Sequence, residues 1–447
     1  MISSRGLLGW KLITRSFNSV RVNMKQYSTS EEYEKWSKRQ LIERIRQLES
    51  IPKSNETDIS SNSDVNIPPP KKQKRRVFDF SKYSQRFIAL KFAYLGWNYN
   101  GLAYQFEDTP LPTVEETLLN ALATAKLIEN PALDSCDFSR CGRTDKGVSA
   151  MSQVISLKVR SALTEDEQLL KENDQKEIKY LSILNSILPS DIRITSICLR
   201  PPKDFDARFS CEYRHYRYLF KKDNLDLELM SEAAKKYEGV HDFRNFCKID
   251  GSKQITNFNR NILGSQIIQL KDDLYAFDLK GSAFLWHQVR CMVAMLFLVA
   301  QKLEKPTLID DMLNIEKYPA KPVYEMAHDI PLVLYDCTFP EMEWQTPSEI
   351  EDIQKFHRPF TKFKGLVTDY ELKAHMAGIM SEIVLKDSEK ILFTSPTSGN
   401  IPLGDGMGRN FSKYVPMDKR EVGDTFDIVN ERHKEKRKRK IAAKHNL

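Results

Sequence analysis

The stretch Ser139–Ala150, SRCGRTDKGVSA, concentrates more chemistry than any other part of the chain. Asp145 lies between Arg143 and Lys146, with Gly142 and Gly147 close on either side. Neighbouring cations favour the ionised carboxylate, so Asp145 is expected to be an anion. An ionised Asp in a glycine-lined loop serves as a nucleophile, a metal ligand or a turn residue. A nucleophile needs a fixed position, exclusion of competing bases and cations that keep it charged. The glycines allow a tight backbone around Asp145, and Arg143 can reach a phosphate or flank a substrate. Asp145–Lys146 begins like the DKTG of phosphoaspartyl enzymes, but Gly147–Val148 breaks that pattern, and no acidic cluster suited to Mg²⁺ accompanies it. The seven cysteines are an odd number and none forms a CxxC pair, so neither a disulfide framework nor a zinc site is suggested. A reducing compartment fits that usage.

Two strand patterns frame this loop. Phe87–Tyr94 is apolar on both faces and reads as a central strand. A turn-rich aromatic loop follows (LGWNYNGL, 95–102), then a helix opened by a capping box at Thr113 and Glu116, with Val114, Leu118, Ala121, Leu122 and Ala125 as its buried stripe. After the loop, Ile155, Leu157 and Val159 alternate with polar residues as a half-buried strand. Ile178–Leu188 reads as a helix stopped by Pro189, and Asp191–Leu199 as a strand. Further on come a strand over Tyr213–Phe220, a helix through Leu227, Met230, Ala234 and Tyr237, a hairpin over Ile262–Lys280, an apolar helix over His287–Lys302 and a last strand over Ile330–Phe339. The stretches 86–200 and 205–340 repeat a similar order of elements, which hints at internal duplication.

At 447 residues there is material for two or three domains. The longest apolar run, Cys291–Ala300, is far below the ~20 residues of a membrane span and reads as a core helix. The net charge of +7 resides in the flanks: residues 1–30 are basic and free of acid, Lys71–Arg76 is a basic cluster, and Arg432–Lys440 is another, which leaves the middle mildly acidic. A positive groove in that middle would have to be local. The expected organisation is a presequence-like segment at 1–30, a helix and basic linker at 31–85, a half bearing the Asp loop at 86–203, a second half at 204–345, an extension at 346–430 and a basic tail at 431–447. Within the extension, Thr368–Leu385 reads as a helix, and Gly404–Gly408 as a turn, because no strand precedes it.

Arg140–Ala150 resembles the signature of the TruA family of tRNA pseudouridine synthases, a GRTD followed by a small residue or Lys and then GV. Other marks recur in order. Asp204–Ser210 with Arg214–Tyr218 is similar to the family's ARFSA…RxYxY stretch, Asp242–Phe246 to its DFxxF, and Phe284–Arg290 to its FxxxMVR, with Gln288 for the usual Met. AYLGWNYNGLAYQ (93–105), SRCGRTDKGVSA and the FCKIDGSKQITNF insertion (246–258) resemble the eukaryotic branch acting at tRNA positions 38 and 39.

The resemblance implies an α/β (α+β) pseudouridine synthase fold: two ferredoxin-like, RNP-like halves share a continuous antiparallel-rich sheet around a central cleft. It implies that Asp145 attacks the uridine, at C6 of the base or C1′ of the sugar, so that uracil is detached, rotated and rejoined through C5. Tyr216 would stack on the base and help remove the C5 proton, Arg290 would pair with Asp145, and Arg143 would help hold the flipped nucleotide. No cofactor and no metal would be needed. The partner would be the tRNA anticodon stem-loop, the protein a homodimer without membrane attachment, and its location nucleus and cytoplasm, with a mitochondrial form if Met1 rather than Met24 starts the chain. From pattern alone Tyr216, on one face with Tyr218 and Phe220, belongs to a core, and Arg290, opening an apolar helix, needs an anion. Trp286 and His287 read as packing or RNA contacts. His328–Leu332 lacks the family's Gly, a departure expected to leave the catalytic set untouched. The rival reading is a non-catalytic tRNA-binding or chaperone protein on the same fold.

Overall fold

The structure is a computed structural model that describes residues 78–350, 353–386, 399–401, 403–404, 409–411 and 414–445. The presequence, the 31–50 helix and the basic linker lie outside the described residues. From Arg76 to Leu447 the chain forms one compact unit.

Its frame is a nine-stranded sheet. β1 (Gln85–Tyr94) pairs on both edges, with β3 (Ser149–Arg160) and β4 (Ile192–Cys198), and so is an interior strand, as its apolar pattern implied. Between β1 and β3 come α1 (Val114–Thr124) and the two-residue strand β2 (Ser139–Arg140), and α2 (Tyr180–Ile187) leads into β4. The capping box of α1 is present in full, with Thr113 and Glu116 each bonding the other's backbone. The second half runs β5 (Tyr213–Lys221), α3 (Leu227–Lys235), β6 (Gly239–Asp242), β7 (Asn259–Lys271), β8 (Leu274–Gly281), α4 (Gln288–Ala300), α5 (Leu308–Leu313) and β9 (Leu332–Thr338).

The strand order is β4-β1-β3-β9-β5-β8-β7-β6, with β2 also on β3. Each half is therefore a βαββαβ unit whose last, first, third and second strands lie side by side: β4-β1-β3-β2 in one and β9-β5-β8-β7 in the other, with β6 added at the edge. The repeated order of elements in the sequence is thus a repeated topology.

The halves join where β3 and β9 run parallel for two residue pairs, Ser149↔Val333 and Ala150↔Leu334; every other strand pairing in this sheet is antiparallel. β2 holds β3 only at Ile155 and Ser156 and so leaves the start of that edge open for β9. β3 begins at Ser149, six residues before the expected start, because Gln153, buried on the face of Ile155 and Leu157, is a polar residue that breaks the apolar alternation. One row of Cα partners crosses seven strands: Ile192, Tyr94, Ala150, Leu334, Tyr216, Leu279 and Ser265.

α4 is buried along nearly all its length, as its apolar run implied, and among the described residues no helix is long and apolar enough to cross a membrane. Two elements of the extension differ from expectation. The expected helix at Thr368–Leu385 is part of a longer one, α6 (Ile353–Leu385). A short strand does precede Gly404: β10 (Gly399–Ile401) pairs with β11 (Arg409–Phe411) as a separate hairpin, while 405–408 lie outside the described residues. The basic tail is helical as α7 (Phe426–His445). Its start is held by the 246–258 insertion: Gln254 Nε2 donates to the Asn430 carbonyl and Asn430 Nδ2 to the Ile255 carbonyl, both at 3.1 Å, and Phe426 packs on Phe258.

Candidate active site

The loop Cys141–Val148 leaves β2 and returns into β3 at the seam between the halves. Its shape is set from several sides. Cys141 N–H donates to the Val154 carbonyl at 2.8 Å, and Gln153 Nε2 to the Gly142 carbonyl at 3.0 Å. Asp145 to Val148 is a turn closed by a 3.2 Å backbone hydrogen bond, with Gly147 at φ +80° in its third position, where an L side chain is strained. The aromatic loop 95–102 supports it from below: Tyr94 Oη and Thr144 Oγ1 are 2.6 Å apart, Leu102 N–H donates to the Thr144 carbonyl, and a Cβ at Gly96 would overlap the Val148 carbonyl. Arg140, at the foot of the loop, makes an ion pair with Glu115 of α1, whose side chain is fully buried. Of the two arginines in the signature, Arg140 is therefore structural, and Arg143 is exposed.

The second half closes over Asp145. Trp286 Nε1 donates to Asp145 Oδ1 at 3.1 Å, and His287 Nε2 lies 3.5 Å from Oδ2. His287 caps α4 at φ +61°, a left-handed conformation that few such residues adopt, and its Nδ1 is buried without a partner. Burial, then Arg290 and Lys248, push the imidazole down to about 4, so it stands neutral beside the carboxylate near pH 7. Lys248, from the insertion, lies over the Trp286 ring at 4.7 Å.

Burial raises the Asp145 carboxyl above its usual range, opposed first by Arg290, then by the Trp286 bond and Lys248, while Asp329 adds to the rise. This corrects the expectation that Arg143 and Lys146 govern its charge. Both of those cations point to solvent, and the groups that tune Asp145 come from the other half of the chain. The His328–Leu332 departure also bears on the site. Asp329 stands where a Cβ on Gly147 would meet its carboxylate at 2.9 to 3.3 Å, so this position touches the Asp145 loop.

Arg290 and Tyr216 both lie near Asp145 without bonding to it. Arg290 Nε donates to the Ala327 carbonyl at 2.8 Å, and among the described residues its guanidinium makes no ion pair within 4 Å, so it acts on Asp145 through space. Tyr216 is buried, with its ring edge-on to Phe284 at 5.0 Å, and burial pushes its hydroxyl far up, which keeps it a phenol. Tyr218 and Phe220 on the same face pack against Phe297 of α4 as core.

The sequence reading left Trp286 and His287 as packing or RNA contacts and missed Lys248 and Asp329 as site residues. The first two left a signal, a polar aromatic pair directly before a buried helix. Lys248 and Asp329 left none, because only the fold brings the insertion and the approach to β9 beside Asp145.

A family model described as tRNA pseudouridine synthase matches residues 233–340. The tRNA pseudouridine(38/39) synthase of Saccharomyces cerevisiae is 52% identical over 418 residues, covering 91% of this chain and 93% of its own. The human protein of that name is 42% identical, covering 75% of this chain and 72% of its own. The tRNA pseudouridine synthase A of Methanococcoides burtonii is 30% identical, and 98% of its length matches only 67% of this chain, so the flanks have no counterpart there. With such identity along nine-tenths of its length, this chain belongs to the TruA-type tRNA pseudouridine synthases, a family of isomerases.

Proposed function

We propose that this protein isomerises uridine to pseudouridine at tRNA positions 38 and 39, with Asp145 as nucleophile. The observation that carries the reading is Asp145 itself: a carboxylate held by a rigid turn at the seam of two halves, bonded by one N–H, with a side chain still 31% accessible. The reaction is atom-neutral. Asp145 attacks C6 of the base or C1′ of the sugar, the N-glycosidic bond breaks, the uracil turns and a C1′–C5 bond forms. The bond to Asp145 breaks and frees the carboxylate, and C5 loses a proton while N1 gains one. A carboxylate held above its usual range is more basic than a free one, which suits attack on carbon. Tyr216 offers the base a ring rigidly backed by Phe284. Arg290 stabilises the carboxylate through space, and Arg143, exposed and without an ion pair among the described residues, is free to follow a phosphate of the flipped nucleotide. Trp286 and Phe209, 41% and 79% exposed, are platforms for stacking. α7 adds sequence-independent attraction to RNA, and its anchorage on the insertion sets where that charge sits.

Mapping of pseudouridine in tRNA from cells lacking this protein, complemented with wild type or Asp145→Asn, tests the reading. Positions 38 and 39 should be unmodified in the deletion, restored by wild type, and not restored by Asp145→Asn even though that variant still binds tRNA. Restoration by Asp145→Asn would favour the RNA-chaperone alternative.

The homodimer belongs to the same proposal. Its support is an exposed apolar row along α6, Leu372, Met376, Ile379 and Ile383, at the alternating spacing of a helix-pairing seam. Light scattering on wild type and Ile379→Glu tests it: a wild-type mass of one chain overturns it.

A further inference from the structure

Three cysteines that are distant in sequence meet beside the Asp loop. Cys141 is at its foot, Cys211 precedes β5, and Cys337 lies near the end of β9. Their Sγ atoms all lie within 4.8 Å of one another, the three residues are 9% exposed or less, and the thiols are free. The cluster sits on the join between the halves: Arg214 pairs with Cys337 in the β5–β9 register, and Glu212 N–H donates to the Thr338 carbonyl.

Buried thiols alone can be apolar filling. Arg214 adds an independent observation. Its guanidinium gives its hydrogen bonds to the carbonyls of Ser282, Cys141 and Arg208, at 2.8, 2.8 and 3.0 Å. Among the described residues it has no carboxylate within ion-pair distance, although it is largely withdrawn from solvent. A cation so placed calls for an anion, and thiolates of this cluster are the groups at hand.

We propose that Cys141, Cys211 and Cys337 bind one Zn²⁺ ion as thiolates. Three S–H protons pass to solvent and three Zn–S bonds form, with no change of oxidation state. Three thiolates, one Zn²⁺ and the Arg214 guanidinium sum to zero charge, whereas Cu⁺ in the same place leaves one negative charge uncompensated. Zn–S bonds of about 2.3 Å place tetrahedral sulfurs about 3.8 Å apart, a contraction of at most about 1 Å here, and a water or carbonyl oxygen completes four-coordination. The ion would clamp the foot of the nucleophile loop to both β5 and β9. It has no role in the isomerisation itself, and the proposal stands or falls independently of the pseudouridine reading.

The test is elemental analysis of full-length protein purified under reducing, chelator-free conditions, together with Cys211→Ser and Cys337→Ser. About one zinc per chain is expected in wild type and about a tenth of that or less in the variants. X-ray absorption on wild type should show three sulfur neighbours, a measurement that needs no variant to fold. Wild type that is free of zinc and takes up none from a Zn²⁺ buffer overturns the proposal. So do copper in place of zinc, full zinc in both variants, or an intact mass showing a disulfide among the three cysteines.

Discussion

The indole N–H of Trp286 donates to Oδ1 of Asp145 at 3.1 Å, a bond that spans the two halves of the sheet. Trp286→Phe keeps a ring and deletes the donor. A hydrogen bond to a charged group contributes about 1.5–3 kcal/mol, and exposure of the indole puts this one at the lower end, so the single-turnover rate should fall about tenfold while tRNA affinity changes little. Because the bond lowers the Asp145 pKa, its loss should also move the acid limb of the rate profile to higher pH. An unchanged rate and limb would show that the bond is incidental.

Asp145→Asn should abolish pseudouridine formation and raise the thermal midpoint. Burial lifts this carboxyl, so the folded chain holds its proton more tightly than the unfolded chain does. The group favours the fold below its unfolded value and loses that contribution as pH rises through the folded one. Near neutrality the ionised carboxylate therefore works against stability, and a neutral isostere removes that effect. Calorimetry at pH 7 reads it, and a lower midpoint would contradict the assignment.

Rate against pH tests the environment of Asp145. Activity should fall on acidification with a midpoint above the ordinary aspartate range. Asp329 raises that midpoint, so Asp329→Asn should shift the limb to lower pH. A shift the other way, or none, would mean that Asp329 does not act on Asp145.

His287 makes a separate prediction for stability. Its folded pKa, about 4, lies below the unfolded 6.5, so between these values the unfolded chain binds more protons. Stability should decline from pH 6.5 towards 4, by up to about 3 kcal/mol at 1.36 kcal/mol per unit. His287→Asn tolerates the left-handed backbone and cannot titrate in this range. Urea titrations at pH 7 and 5 should therefore differ less for the variant than for wild type.

The glycines flanking Asp145 should respond differently to alanine. At Gly147 the positive φ and the Asp329 carboxylate both oppose a Cβ, so Gly147→Ala should cost about 1–3 kcal/mol and most of the activity. At Gly142 the φ is ordinary and the nearest atom, Arg214 Nε, is 3.7 Å away, so Gly142→Ala should be mild. Denaturation midpoints for the two variants decide it.

Much of this was legible in the residues. The Thr113–Glu116 capping box, the β7–β8 hairpin and the α4 run are local patterns, and they formed as read. The early start of β3 was hidden because Gln153 is buried where alternation calls for an apolar residue. Asp329 and Lys248 were illegible for a different reason. Their effect on Asp145 is electrostatic and acts across the seam between β3 and β9, and nothing near them in sequence records it. The thiol cluster is the extreme case: three segments distant in the chain contribute one sulfur each.

The row running from Ile192 through Tyr94, Ala150, Leu334 and Tyr216 to Ser265 bears on what kinds of change this chain can absorb. Strands repeat about every 4.8 Å, so the span from the Asp145 loop to Tyr216 is counted in whole strands. A register slip of one residue turns every side chain of a strand to the opposite face. Length changes in connections leave the count alone, which is consistent with large appendages such as α6 and α7 outside the sheet. A single-residue deletion inside β9 has no such latitude: it displaces Leu334 and breaks the alignment of Ala150 with Tyr216. Insertions and deletions in descendants of this gene should therefore accumulate in the linkers and extensions and be purged from the seven residues opposite the seam.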